Sequence, residues 1–290
     1  MVAIHSTFCP KAATLNVAKN IFFRGTDCLG PEEIIAGHGK LHGLKLPKSL
    51  PPIPWTEDEL KAAKEARSHL ILVAPGLTMK NMVEARKNLA TDGGKLLCNT
   101  NLYREEEFYT SAVTGDDWDW RLVGNEVLPG SPGQNYLRQT LTLTEALKNF
   151  PLNLNNTDLS PSGQRVLLRV EAAYQSAVRE LAEKREWLAK LINDDWQAAA
   201  KQLTALKLNQ LCRESPAVTL YRLITYEVVN HARLLQGMYH WSNTLSSDGG
   251  LVYVGRFDRG GAGVRDWHPG GSGGAIGVVL SRSAEVECGK

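Results

Sequence analysis

The chain has 290 residues and a mass of 31.9 kDa, 43% of them hydrophobic and 22% charged, enough for one large domain or two small ones. Its 33 Lys+Arg against 31 Asp+Glu leave a net charge of +2, which gives no global field to gather nucleic acid or an anionic membrane. The longest apolar runs, 70–74 and 276–280, fall far short of the roughly 20 residues that cross a bilayer, and no basic stretch followed by an apolar core opens the chain. Neither nucleic-acid binding, membrane insertion nor secretion is therefore expected. Cys9, Cys28, Cys98, Cys212 and Cys288 are scattered and form neither a CxxC pair nor a disulfide framework.

Residues 1–55 read as an irregular N-terminal part of loops and short strands, closed by an extended PPIP connector. Residues 56–236 read as a mixed α/β and helical part. Thr56 with Glu59 makes a capping box that predicts a helix over 57–68, followed by the strand-like HLILVA. Thr78 opens a short helix carrying Met82, Ala85 and Leu89 and stopped at Asp92-Gly93-Gly94. Strands are predicted near 95–99 and 118–124. Ser131-Pro132-Gly133-Gln134 reads as a capped helix start, and Ser160-Pro161 begins a long amphipathic helix to about Ile192. Further helix is predicted over 195–211 and from Ser215-Pro216 to Gln236, ended by Gly237.

The composition then changes. Of 26 glycines, 13 lie between 237 and 289, yet LVYVGRFD, AGVRDW and AIGVVLSR are strand-like runs separated by turn signals, so 237–284 reads as a compact sheet with tight turns. Between Tyr239 and Ala284 there is no Lys, Glu, Gln or Met, although these make up 47 of the 290 residues; roughly seven would be expected there by composition. Low charge is not the reason, because Asp248, Asp258, Asp266, Arg256, Arg259, Arg265 and Arg282 are all present. Asn codons rewritten at their adenines yield Asn, Asp, Arg, Gly, Ser, Tyr, His and small apolar residues, and never Lys, Glu, Gln, Met or Trp.

In these residues the chain resembles the variable proteins of diversity-generating retroelements, of the archaeal and phage type, whose C-terminal region is rewritten by adenine-directed mutagenesis. The similarity covers 233–283, where a Ser-Asp-Gly turn leads into a Val-x-Val-Gly strand and the region closes on Ser281-Arg282. It extends back through the preceding helix and, more faintly, to SPGQNYLRQT, and it does not place residues 1–55. The resemblance implies a single α+β domain over 1–290 with a C-type lectin-like fold of the formylglycine-generating-enzyme type. Amphipathic helices and a Gly-rich C-terminal antiparallel sheet complete it. It also implies a non-enzymatic protein that binds a chosen target through side chains displayed on a fixed backbone, and, with no secretory signal readable, a location on a virion or in the cytoplasm.

The vocabulary of the tail, Tyr, Ser, Gly, Asn, Trp and Arg, is also that of antibody paratopes. Exchangeable side chains should stay outside the core, where changes cost about 1–5 kcal/mol. Alternation in LVYVGRFD puts Val252 and Val254 inward and Leu251 and Tyr253 outward, and the same logic makes Phe257, Val264 and Ile276 core residues. The expected recognition face comprises Asn243, Leu251, Tyr253, Arg256, Asp258, Arg259, Arg265, Asp266 and His268. Trp241 and Trp267 cannot arise from the proposed codons and are expected in the fixed scaffold, with Trp267 able to border the site. The expected partner is a macromolecule, a protein or cell-surface target, bound by a monomer.

No cofactor or metal is expected. His240 and His268 lack a second ligand at useful spacing and read as exposed histidines; His38 and His42 lie in a glycine-rich stretch without the HExxH pattern. Asp116, Asp117 and Asp119 read as a solvated turn. AGHGKL has Leu41 where a phosphate loop needs a hydroxyl. Two alternatives stay open: an oxidase like formylglycine-generating enzymes, for which the tail offers only Cys288, with Cys212 as a partner in space, and a purely structural virion component.

Overall fold

The computed structural model describes residues 13–86, 96–98, 102–148 and 161–283, with only the backbone of 161–171. In chain order the elements are α1 (Leu15–Ile21), β1 (Cys28–Leu29), α2 (Pro31–Ile34), a π-helical turn (Ile35–Gly39), α3 (Lys40–His42), α4 (Glu57–Glu65), β2 (Ser68–Val73), α5 (Met79–Arg86), α6 (Glu107–Thr110) and β3 (Asp119–Gly124). There follow α7 (Tyr136–Lys148), α8 (Pro161–Asp194), α9 (Trp196–Ala205), α10 (Lys207–Cys212), α11 (Pro216–Asn230), β4 (Tyr239–Leu245), β5 (Leu251–Asp258), β6 (Gly261–Trp267), β7 (Ile276–Gly277) and β8 (Ser281–Ser283). Among the described residues the fold is mixed α+β, with two four-stranded sheets.

One sheet has the order β1-β2-β3-β8 and the other β6-β5-β4-β7. The chain crosses between them at its end, because β7 pairs in parallel with β4 while β8 pairs antiparallel with β3. The helix α11 is buried over most of its length and ties both sheets together. Its Tyr221 hydroxyl donates to the Leu72 carbonyl at 2.9 Å and accepts from Ala74 N–H at 3.2 Å, on the β2 side. Its Thr219 hydroxyl meets His240 Nε2 at 2.8 Å, on the β4 side. One continuous core joins the two sheets through side chains such as Leu70, Leu72, Leu220, Leu223, Val252 and Val254.

Local signals explain several starts. Thr56 Oγ1 accepts from Glu59 N–H and Glu59 Oε2 accepts from Thr56 N–H, so the expected capping box opens α4. The helix is shorter than expected, ending at Glu65, with Arg67 at φ 55° turning the chain into β2. Ser215 caps α11 by accepting from Val218 N–H, with Pro216 in the first turn.

Other expectations are corrected. The N-terminal part contains the helices α1, α2 and α3 rather than loops and strands alone. Ser131 does not cap a helix: its hydroxyl accepts from Val278 N–H and donates to the Leu128 carbonyl, and Asn135 accepts from Arg138 N–H at the start of α7 instead. The 195–211 helix is broken at Leu206, and α11 stops at Asn230, where His231 takes φ 51°, well before Gly237. Near 95–99 the described residues show one bridge, Leu97 with Ala262. Asp119 is no solvated turn: it is buried in β3, where Ser283 donates to it and Arg121 pairs with it. Leu89, Asp92-Gly93-Gly94, Ser160 and Cys288 lie outside the described residues.

Candidate functional site

The tail sheet is anchored from behind by buried polar groups on and beside α10 and α11. Glu214 and Arg222, both fully buried, share hydrogen bonds of 3.0–3.1 Å. Burial alone would raise the Glu214 carboxyl, but the Arg222 guanidinium overrides it and holds the group below its ordinary range. His240 is buried against this pair rather than exposed as expected, and its pKa is lowered to about 3, chiefly by desolvation of the imidazolium. Arg213 stacks on the Tyr136 ring at 3.9 Å and donates to Asn209 and to the carbonyls of Trp241 and Tyr136. These groups fix where β4 begins, and apart from His240 they were not singled out from the sequence, in which nothing local joins positions 213, 214, 222 and 240.

The front of the sheet carries an aromatic ladder. Tyr136 meets Trp241 edge-on at 5.7 Å, Trp241 meets Tyr253 at 5.1 Å, and Tyr253 meets Tyr239 at 5.0 Å. This overturns part of the expected face. Tyr253 is only 8% exposed and Leu251 is fully buried, because helices and the ladder cover the side that the alternation assigned to solvent. Val252, Val254, Phe257, Val264, Ile276 and Trp241 are buried as expected.

Backbone anchors hold the turns. Gly261 has φ +96°, and a Cβ there would lie 2.6 Å from the Leu97 carbonyl carbon. At Gly255 a Cβ would lie 2.2 Å from the Met238 carbonyl oxygen. In the 246–250 turn, the Glu106 carboxylate accepts from Ser247 N–H and its hydroxyl, and Gln197 donates to the Asp248 carbonyl. Ser246 bridges the carboxylates of Asp248 and Asp266. Hydrogen bonds from Ser246 and Gly250 lower the Asp248 pKa, whereas burial, with Asp248 nearby, raises that of Asp266.

The remaining expected residues divide by engagement. Asn243 is half-buried and donates to Gln210 and the Arg213 carbonyl. Asp258 is exposed but accepts from Gly260 N–H within its own turn. Arg256, Arg259 and Arg265 are exposed, and their side chains make no hydrogen bond or ion pair within the described residues. His268 is exposed between Trp267, at 5.5 Å, and Trp196, at 6.4 Å. Trp267, expected in the scaffold, is 38% exposed and borders this cluster, its ring packed so closely on Gly271 that a Cβ there would fall 2.5 Å away. Trp196, which sequence reasoning missed, completes it from the start of α9. The surface thus offers guanidinium donors without internal partners, with Arg265 on the same strand as the Trp267 ring.

Among the described residues no group of three His, Cys, Asp or Glu is placed to hold a metal ion, and no helix is long and apolar enough to cross a membrane. Cys212 is buried, with its thiol pushed up to about 12 by desolvation. No protein-family model, curated protein or solved structure matches the chain.

Proposed function

We propose that the chain is a non-enzymatic target-binding protein, a variable protein of the diversity-generating-retroelement kind, with a C-type lectin-like scaffold and an exchangeable surface on its C-terminal sheet. The observation that carries this reading is a coincidence. In the window that lacks Lys, Glu, Gln and Met, the side chains of Arg256, Arg259, Arg265 and His268 are exposed and free of internal hydrogen bonds and ion pairs, while nearby backbone is tied to residues outside the window: Arg256, Phe257 and Ala262 donate their N–H groups to the carbonyls of Met238, Leu235 and Leu96. Glu106, Gln197 and Gln210 are of types excluded from the window, and they supply fixed contacts to it. The exchangeable set comprises these four residues, with Asp258, Asp266 and Asn243 as partly committed neighbours. Leu251 and Tyr253 belong to the scaffold.

The target is a macromolecule met by guanidinium groups and the Trp267 edge, which suits a protein or cell-surface partner. The buried, protonated Cys212 lends no support to a copper-binding cysteine pair. A genomic test is direct: the reading expects a neighbouring reverse transcriptase and an imperfect template repeat of codons 240 to 283, and a locus with neither would contradict it.

A further inference from the structure

A cleft of ≈ 690 Å³ opens where the last turn of α4, the start of β2, the segment after β3 and the 233–238 segment leading into β4 meet. Its volume lies within the range of small-ligand sites. Every lining residue precedes Tyr239, so the cleft lies wholly outside the compositionally restricted window.

Backbone strain gathers here. Five non-glycine residues have left-handed φ among the described residues; two of them line this cleft, and the other three contact or neighbour residues that do. Arg67 (φ 55°) and Leu235 (φ 54°) line it. Phe23 (φ 39°) carries its ring under the Lys64 ammonium at 4.9 Å, and His231 (φ 51°) ends α11 two residues before the lining Arg233. Arg256 (φ 47°) donates its backbone N–H to the Met238 carbonyl at 2.8 Å. Conformations of this kind persist only where the surroundings impose them, and they concentrate at ligand clamps.

The walls present both signs of charge in pairs. Lys64 pairs with Asp27, and Arg67 with Glu126 at 3.4 Å. The side chains of the second pair are 77% and 71% exposed, so the pair stabilises little and opens readily. Arg233 is committed to Glu227, the Asp258 carbonyl and the Phe257 ring, and leaves no spare cation for a lone anion. Asn125 Oδ1 accepts from the Nδ1–H of His69, a buried imidazole whose pKa is lowered to about 3, which leaves the Asn125 amide N–H groups to donate. These groups, with the Ser68 and Tyr226 hydroxyls, have no hydrogen-bond partner among the described residues, and Leu235 and Met238 supply apolar wall.

The geometry points to a binding site for a zwitterionic, peptide-like ligand. Its acidic group meets Arg67, its basic group meets Glu126, its amides meet Ser68, Asn125 and Tyr226, and an apolar side chain rests on Leu235. This site stands whether or not the tail is diversified, and it is common to all tail variants if it is.

The test is calorimetric titration of the full chain with acetyl-Lys-Leu-Glu-amide, with acetyl-Gln-Leu-Gln-amide and inorganic phosphate as controls. Saturable binding of the charged peptide is expected at millimolar concentration or below, at least about tenfold tighter than either control, or 1.4 kcal/mol. Arg67→Glu should abolish it without moving the melting temperature, because Arg67 is exposed. On binding, the amide resonances of Arg256 and Phe257 should shift, since they donate to the cleft wall at Met238 and Leu235. Equal binding of charged and uncharged peptides, tighter binding of phosphate, binding that survives Arg67→Glu, or no saturation would each overturn the site.

Discussion

Tyr253 and Arg265 sit opposite each other across β5 and β6, yet they carry opposite roles. Tyr253 is held between Trp241 and Tyr239, and truncating it removes an aromatic from a packed layer at about 3–5 kcal/mol. Arg265 is exposed and its side chain unpaired, so its truncation should stay within about 0.5 kcal/mol. Thermal melts of Tyr253→Ala and Arg265→Ala are therefore expected to differ by several degrees, with Arg265→Ala close to the parent. Comparable melts of the two variants would contradict this division of the strand. The sequence pointed correctly to Val252, Val254 and Trp241 but not to Tyr253, because alternation identifies two faces without saying whether both are covered. Here the side that alternation assigned to solvent is itself covered, by helices and the aromatic ladder.

Legibility at the scale of elements followed the distance between partners. The capping box at Thr56 and Glu59 is complete within four residues, so it could be read directly. Ser131 carries the same kind of signal, but its hydroxyl is taken by Val278 N–H from the far end of the chain, and no local pattern shows that. The buried Glu214–Arg222 pair and its contact with His240 were hidden for the same reason. The glycine turns were legible as turns, though not which glycines are indispensable. Gly261→Ala places a methyl group against the Leu97 backbone at positive φ, and a loss of several kcal/mol is expected. Gly274, where a Cβ would meet nothing within 4 Å and φ is not positive, should accept Ala nearly unchanged. Urea midpoints of the two variants measure the difference, and similar midpoints would show that the turn adapts.

For the whole molecule, three buried histidines tie stability to pH. His69 and His240 are lowered to about 3 and His38 well below its ordinary 6.5, mainly because burial disfavours the imidazolium. The unfolded chain takes up these protons below about pH 6.5 and the native chain does not, so stability falls as pH drops, by about 1.4 kcal/mol per group per unit. Asp119, raised by burial, opposes this only in a narrower window above its ordinary 3.8. Three such groups exhaust a typical margin of about 5–15 kcal/mol within a few pH units, so cooperative acid unfolding is expected between about pH 4 and 5.5. Circular dichroism that stays native to pH 4 would show that the imidazoles are not held neutral.

The same interior sets the limits of the proposed display: replacement is cheap where a side chain is exposed and makes no internal hydrogen bond or ion pair. Sequencing sister copies of this gene measures that most directly. Differences should concentrate at Arg256, Arg259, Arg265 and His268, spare Tyr253, Trp241 and Gly261, and never introduce lysine, glutamate, glutamine or methionine. Substitutions spread evenly along the chain, or lysine and glutamate at those four positions, would contradict the account.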